Sequence, residues 1–425
     1  MHIQDSIHAA ISGPAGAGQA FFYVRDGCQV LVDGGWRGGS LANSLSSYLP
    51  DVRRIDIAVC THGDGDHAGG FTSLLDHWNG RIGQLWLPGR WAQILPELML
   101  DPKPLVDALI DDLLATSRER PELNASDLDA EDIEKALDID SVRESSPQVD
   151  DFYLNPGQEV AEVDSGRLDE FEEPGWMQEL RSGAIEIIRR DPIAQRVFAS
   201  ARARVYYRMR RGVVGPGLGR YWLGLIETEE IIRKIASQAF RRSIKIRWFD
   251  YGGFTEGLAP RGGVPGLLVP INAVEQSPPP RILRSPEFLS KINRESLVFY
   301  APENRRWPAI LFTSDSPLGT GSAFTAPFPP PRLRPRRDIV ATAPHHGAES
   351  NSMAYRNIST WANVAVWIRA GGSSRHPERT FRSLPVRSRA CTNCPHLNVR
   401  LRPVDLHFHS YEAWHYLGGR PICSC

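Results

Sequence analysis

Thr61-His62-Gly63-Asp64-Gly65-Asp66-His67-Ala68-Gly69-Gly70 sets two imidazoles and two carboxylates within six residues, at the spacing His-x-Asp-x-Asp-His. The apolar run Ile55-Asp56-Ile57-Ala58-Val59-Cys60 leads straight into it and reads as a strand. A strand ending in a tight turn with four ligand-type side chains supplies what a metal ion needs. Imidazole nitrogen and carboxylate oxygen suit zinc, manganese or iron. The glycines let the backbone turn sharply enough to bring those groups together. A solvated acidic turn would have the same composition, but two further ligand-bearing segments downstream argue against it.

Working outward, residues 19–35 read as a hairpin: strands at 19–24 and 28–33, the turn Arg25-Asp26-Gly27, and Gly34-Gly35 closing it. A helix is expected at about 40–49, another at 71–78 and a short strand at 83–88. This alternation indicates an α/β architecture. The pattern changes near residue 100. Leu105-Val106, Leu109-Ile110 and Leu113-Leu114 recur at helical spacing, and residues 99–242 read as a mainly helical insertion. Its charge is segregated: 124–175 holds 17 acidic against 3 basic residues, and 189–247 holds 15 basic against 4 acidic. Strand-like segments resume at 243–249 and 296–301. The chain therefore divides into 1–98 and 243–390, two halves of one domain, the insertion at 99–242, and a Cys/His-rich tail at 391–425.

Over 425 residues the formal net charge is -1, so no global charge argues for nucleic acid or a membrane surface. A hydrophobic content of 41% supports a real core. No apolar run approaches the roughly 20 residues of a membrane span, and Met1-His2-Ile3-Gln4-Asp5 lacks a signal-peptide pattern. A soluble, cytoplasmic protein with no membrane partner is expected. Six cysteines in this length do not indicate a disulfide framework.

The second segment, Ala309-Ile310-Leu311-Phe312-Thr313-Ser314-Asp315, is an apolar strand ending in a carboxylate. The third, Asp338 to Gly347, feeds Pro344-His345-His346-Gly347 into a turn. With these three segments the chain resembles the metallo-β-lactamase-fold hydrolases, most closely the branch containing the soluble domain of the DNA-uptake protein ComEC. Leu31-Val32-Asp33-Gly34-Gly35 matches that branch's strand-Asp-Gly-Gly. His62 to Gly70 matches its His-x-Asp-x-Asp-His-x-Gly-Gly, Ser314-Asp315 its strand ending in Gly-Asp, Pro344 to Gly347 its Pro-His-His-Gly, and Arg375-His376-Pro377 a later His-Pro. The resemblance covers about 15–90 and 290–390.

The resemblance implies an αββα metallo-β-lactamase sandwich with a large mainly helical insertion, and a centre of two divalent ions, zinc or manganese. His62 and Asp64 would hold one ion. Asp66, His67 and a histidine of the 345/346 pair would hold the other, with Asp315 bridging. His345, first after the strand, is the preferred ligand, and His346 then either supports the ligands from behind or faces the substrate. Asp33 would hydrogen-bond the ligand turn from behind. His376 would contact the substrate as proton donor or phosphate contact, so that Asp66, His346 and His376 form the catalytic set. Two departures stand out. Most relatives of this fold have His where Asp64 stands, and a carboxylate there shifts the preference towards manganese or magnesium. No separate ligand histidine lies between His67 and Asp315, and His77 reads as a surface residue. Two close cations would acidify a shared water into the nucleophile. No serine or cysteine nucleophile is then required, and Cys60 reads as core.

Fold alone does not choose a substrate, but the ComEC-like branch points to phosphodiesters, above all DNA. Eight arginines between Arg189 and Arg211 are interleaved with Phe198, Tyr206 and Tyr207. Arginines contact phosphates and rings stack on bases, which makes Arg202, Arg204, Arg208 and Arg211 candidate nucleic-acid contacts. Alternatively this helix pairs with the acidic stretch at 124–175, which would then imitate nucleic acid and hold the site closed until a regulatory protein or a protease acts on the insertion. The leading expectation is a nuclease or phosphodiesterase acting on DNA or RNA. The alternatives are a small-molecule hydrolase for an ester, lactone or cyclic nucleotide, and a non-catalytic metal-stabilised module. Cys391-Thr392-Asn393-Cys394 and Cys423-Ser424-Cys425 form a candidate structural zinc site, with His396, His407, His409 and His415 as alternative ligands. Otherwise they are unlinked thiols.

Overall fold

The structure, a computed structural model, describes residues 5–13, 16–38, 40–130, 132–134, 136–137, 173–280, 295–304, 307–318, 328–394, 401–409, 414–416 and 423. One sheet contains β1 (Ser6–Ala9), β2 (Phe21–Arg25), β3 (Cys28–Val32), β4 (Ile55–Val59), β5 (Ile82–Pro88), β6 (Lys245–Asp250), β8 (Val274–Glu275), β14 (Val404–Phe408) and β15 (Trp414–Tyr416). The other contains β7 (Val269–Pro270), β9 (Phe299–Ala301), β10 (Ile310–Phe312), β11 (Ile339–Thr342), β12 (Val364–Arg369) and β13 (Arg389–Cys391). Their strand orders are β15-β14-β1-β2-β3-β4-β5-β6-β8 and β13-β12-β11-β10-β9-β7. Strands β3 to β6 run parallel, as do β10 to β13.

Side-chain alternation explains the layering. On β3 and β4, Val30, Val32, Ile57 and Val59 face Phe299, Ile310, Phe312 and Val340 of the opposite sheet. The intervening Leu31 and Ala58 belong to a second core on the outer face. There they meet α1 (Ser40–Tyr48), α2 (Phe71–His77), α3 (Gly89–Leu100) and α4 (Lys103–Glu119). A third core packs Leu311, Ala341 and Trp367 of the second sheet against Ala354, Tyr355 and Ile358. The result is helix, sheet, sheet, helix: an αββα sandwich.

The insertion shares the outer core. Helices α5 (Gly175–Ser182), α6 (Ala184–Arg210) and α7 (Pro216–Arg241) follow one another. Leu218, Trp222, Leu225, Ile232 and Ile235 of α7 recur at helical spacing and bury into the same cluster as Leu74 of α2 and Leu95 of α3. The chain then returns as β6, which pairs parallel with β5, so the excursion begins and ends on neighbouring strands. From sequence, residues 391–425 read as a tail, yet β14 pairs with β1 and extends the first sheet. The signal lies in the alternation of Val404, Leu406 and Phe408, all buried between the sheets. Among the described residues no helix is long and apolar enough to cross a membrane.

The loop after β3 lies directly on the ligand turn. Gly34 N–H donates to His67 O at 2.6 Å, and Gly70 N–H to Gly35 O at 2.7 Å. A Cβ on Gly70 would stand 1.9 Å from Gly34 O, so only glycine permits this approach. Gly70→Ala is expected to destabilise the fold by about 3 kcal/mol, read from the shift in the denaturant midpoint. A variant as stable as the wild type would contradict this contact.

Candidate metal centre

Parallel strands bring their carboxyl ends to one edge of the sandwich, where open α/β sheets place their sites. Asp33 follows β3, Thr61 and His62 follow β4, Ser314 and Asp315 follow β10, His345 and His346 follow β11, and Ala370 follows β12. Four of these non-glycine residues have left-handed backbone: Asp33 (φ 62), Ser314 (φ 49), His345 (φ 44) and His346 (φ 52). Such residues are uncommon and persist where surrounding bonds over-determine them.

Asp33 is completely buried. Its Oδ1 accepts from Thr61 N–H at 2.9 Å and Thr61 Oγ1–H at 2.8 Å. Its Oδ2 accepts from Gln19 Nε2–H at 3.4 Å and lies 2.8 Å from His67 Nδ1. A carboxylate only accepts, so His67 donates from Nδ1 and presents Nε2 to the centre. His346 does the same: its Nδ1 donates to Ala370 O at 2.9 Å. His62 Nδ1 lies 3.0 Å from Thr61 Oγ1, whose proton is given to Asp33. Its Nε2 is buried with no hydrogen-bond partner among the described residues.

These Nε2 atoms converge with three carboxylates. His67 Nε2 lies 3.2 Å from His346 Nε2 and 3.3 Å from Asp315 Oδ1. His346 Nε2 lies 2.9 Å from Asp66 Oδ2. His62 Nε2 lies 3.6 Å from Asp315 Oδ2 and 3.8 Å from Asp64 Oδ2. Two compact donor groups result, His62-His67-Asp315 and Asp66-His67-His346. Of the histidine pair, it is His346 that reaches Asp66 and His67. His345, preferred from its place after the strand, instead lies 3.7 Å from Asp315 Oδ2, with its Nδ1 3.4 Å from Asn351 Oδ1. The physical reason is the pair of left-handed residues, which turns the second ring back over the ligand turn.

The donor set fits divalent ions. Two ligands at about 2.1 Å from one tetrahedral ion stand about 3.4 Å apart, and the distances above bracket that spacing. Two imidazole Nε2 atoms at 3.2 Å, each with its Nδ1 already donating, require a cation or a proton between them. Burial works against the His67 imidazolium, but Asp315, Asp33 and Asp66 outweigh it and hold its pKa well above the usual histidine range. Burial also acts first on Asp66, yet His67 and the hydrogen bond from His346 hold its carboxyl well below the usual range. Asp64 is pushed up, by burial and then by Asp66 and Asp315 against the pull of His62.

His376 closes the far side. Ser373 N–H donates to its Nδ1 at 3.2 Å, so the neutral ring keeps its proton on Nε2. That atom is buried without a hydrogen-bond partner among the described residues. The rings of His345 and His346 lie 6.0 Å away. Burial, then the charges of His346, His345 and Arg369, lower its pKa to about 3. The insertion borders the centre on two sides. Arg37 pairs with Glu227 at 2.7 Å beside the turn, where a Cβ on Gly63 would meet the Thr228 methyl at 2.7 Å. Arg375, next to His376, pairs with Asp129 at 2.5 Å.

The remaining residues singled out from sequence have other partners or surroundings. Arg202 is tied to Glu230 at 2.6 Å and Arg204 to Asp107. Arg208 donates to Arg204 O at 3.1 Å, and Arg211 covers the Tyr207 ring at 5.9 Å. The first two therefore serve internal ion pairs, while Tyr206 and Tyr207 stand 52% and 61% exposed. Most of the acidic stretch, 138–172, lies outside the described residues. Cys391, Cys394 and Cys423 are buried in the outer core of the second sheet. Neither metal-capable group among the described residues contains a sulfur, and Cys425 lies outside them. His77 is exposed and bonded to Ser73 O at 2.8 Å. Cys60 is fully buried, and burial pushes its thiol well up, as suits a core residue. Sequence reasoning missed Asn351, whose Nδ2 donates to Asp315 O at 2.9 Å, and Arg369, a charge at a buried strand position that the alternation of β12 already marked.

Residues 13–91 match the family model of the metallo-beta-lactamase superfamily, the segment that carries β2 to β5, Asp33 and the ligand turn. That match, the αββα sandwich and the two donor groups together support a metal-dependent hydrolase. No curated protein matches the chain.

Because His67 must lose a proton to bind a cation, affinity for Mn²⁺ or Zn²⁺ is expected to rise with pH until the raised His67 pKa is passed, and to level off above it. Calorimetric titration in buffers of different ionisation enthalpy is expected to report release of about one proton at pH 7. Binding without proton release would remove His67 from the ligand set.

Proposed function

We propose that this protein is a two-metal phosphodiesterase whose substrate is nucleic acid. The observation that carries this reading is Asp315, whose two oxygens face His67 on one side and His62 on the other, as a carboxylate shared by two ions would. Asp66, His67 and His346 would hold one ion, His62 and Asp64 the other. When bound, such ions polarise a phosphoryl oxygen and lower the pKa of water. The chain's own residues do the rest. Asp33 fixes the His67 tautomer and Ala370 O that of His346. With its pKa lowered to about 3, His376 would offer Nε2–H to the substrate as a hydrogen-bond donor and not as an imidazolium acid. Asp64 gives the centre more hard oxygen, which favours manganese or magnesium and phosphate oxygens.

The exposed Tyr206 and Tyr207 support a single strand as the form bound, since bases stack on such rings. Control by the insertion is supported by Asp129, near the start of its acidic stretch, being ion-paired to Arg375 beside His376. A second reading, hydrolysis of a small ester, lactone or cyclic nucleotide, is favoured by the recess beside His62. Arg90, Trp91, Phe249 and Tyr251 help line it.

With Mn²⁺ the protein is expected to cleave single-stranded or plasmid DNA, and Asp66→Ala to lower the rate at least about 10²-fold. Chelation should abolish cleavage and added Mn²⁺ restore it. Failure to cut DNA or RNA, together with turnover of small esters or cyclic nucleotides, would replace the first reading with the second.

A further inference from the structure

We infer that Arg369 is the positioning residue that makes His346 a metal ligand, and that it ties this ligand to the Cys391–Cys394 loop. Arg369 ends β12 and is completely buried. Among the described residues it has no carboxylate partner. Its guanidinium instead donates to four carbonyl-type oxygens: Nε to His346 O at 2.7 Å, Nη2 to Gly371 O at 2.9 Å, and Nη1 to both Asn393 O and Asn393 Oδ1 at 2.7 Å.

Two of these bonds bear on His346 and two on Asn393. The Nε bond pins the His346 carbonyl, and so a main chain held in the left-handed region (φ 52). The Nη2 bond holds the loop Ala370-Gly371-Gly372, whose Ala370 carbonyl accepts from His346 Nδ1 at 2.9 Å. That loop has no slack: a Cβ on Gly371 would lie 2.8 Å from His346 Nδ1. One planar fork thus fixes both the backbone of the ligand and the acceptor that sets its tautomer. The Nη1 bonds anchor the fork in Asn393, inside Cys391-Thr392-Asn393-Cys394, and Thr392 N–H donates back to Arg369 O at 3.1 Å. An ammonium has its three donors on one nitrogen and cannot span these directions. A buried cation without a carboxylate costs stability, and here four carbonyl-type oxygens answer it.

The inference rests on the two-metal reading, and the test separates the two. Mn²⁺ stoichiometry and affinity, and the visible spectrum of the Co²⁺-loaded protein, are measured for wild type, Arg369→Lys and Asn393→Ala. The His346 tautomer is read from long-range ¹⁵N–¹H correlations. Arg369→Lys, folded by circular dichroism, is expected to bind one ion 10 to 100-fold more weakly, as loss of a ligand's supporting partner does (about that range), with an altered Co²⁺ spectrum and a mixed His346 tautomer. Asn393→Ala is expected to move all three readouts in the same direction, and it decides the matter if Arg369→Lys does not fold. Wild-type affinity, spectrum and tautomer in a folded variant would overturn the role of Arg369 alone. A wild type that binds no divalent ion would overturn the metal centre itself.

Discussion

A carboxylate with no exposure, Asp33, is the constraint on which the site depends. Burying an ionised carboxyl costs several kcal/mol unless hydrogen bonds replace water, and Asp33 is surrounded by donors from Gln19, Thr61 and His67. Those donors come from the segment before β2, from the end of β4 and from the ligand turn. The need to satisfy one charge thereby sets the relative position of three segments. It also sets which nitrogen of His67 faces inward. The glycines at 34 and 70 let the two loops close to backbone contact around it.

From there the architecture places the remaining groups. Both sheets are parallel where they meet the centre, so strand ends from each contribute ligands, and the two halves of the site need not be neighbours in sequence. Four carboxylates, those of Asp33, Asp64, Asp66 and Asp315, gather at this edge among the imidazoles. Their attraction to the imidazoles holds the pKa of His67 up and those of Asp66 and Asp315 down. Among the described residues the insertion adds walls rather than ligands. Its longest-buried helix, α7, belongs to the core behind α2, so its grip on the turn is part of the fold.

Much of this is legible in the sequence because the informative residues are local. The run from His62 to His67 is contiguous, Asp315 and His345-His346 each end an apolar strand, and α7 announces itself by apolar period. What is not legible depends on backbone conformation or distant partners. Which histidine of the pair turns inward follows from left-handed torsions at both, which residue types do not reveal. The arginines of α6 invite a nucleic-acid reading, yet the partners of Arg202 and Arg204 are Glu230 and Asp107, carboxylates outside the acidic stretch. Arg369 binds carbonyls, and carbonyls leave no trace in a sequence.

The proposed two-metal function depends on Asp315 serving both ions. Electron paramagnetic resonance of the protein loaded with Mn²⁺ tests it most directly, because two ions about 3.5–4 Å apart are exchange-coupled. The expected result is a coupled dimanganese signal that reverts to an isolated six-line spectrum in Asp315→Ala. An isolated six-line spectrum in the wild type at saturating Mn²⁺ would contradict the shared carboxylate and the two-metal centre with it.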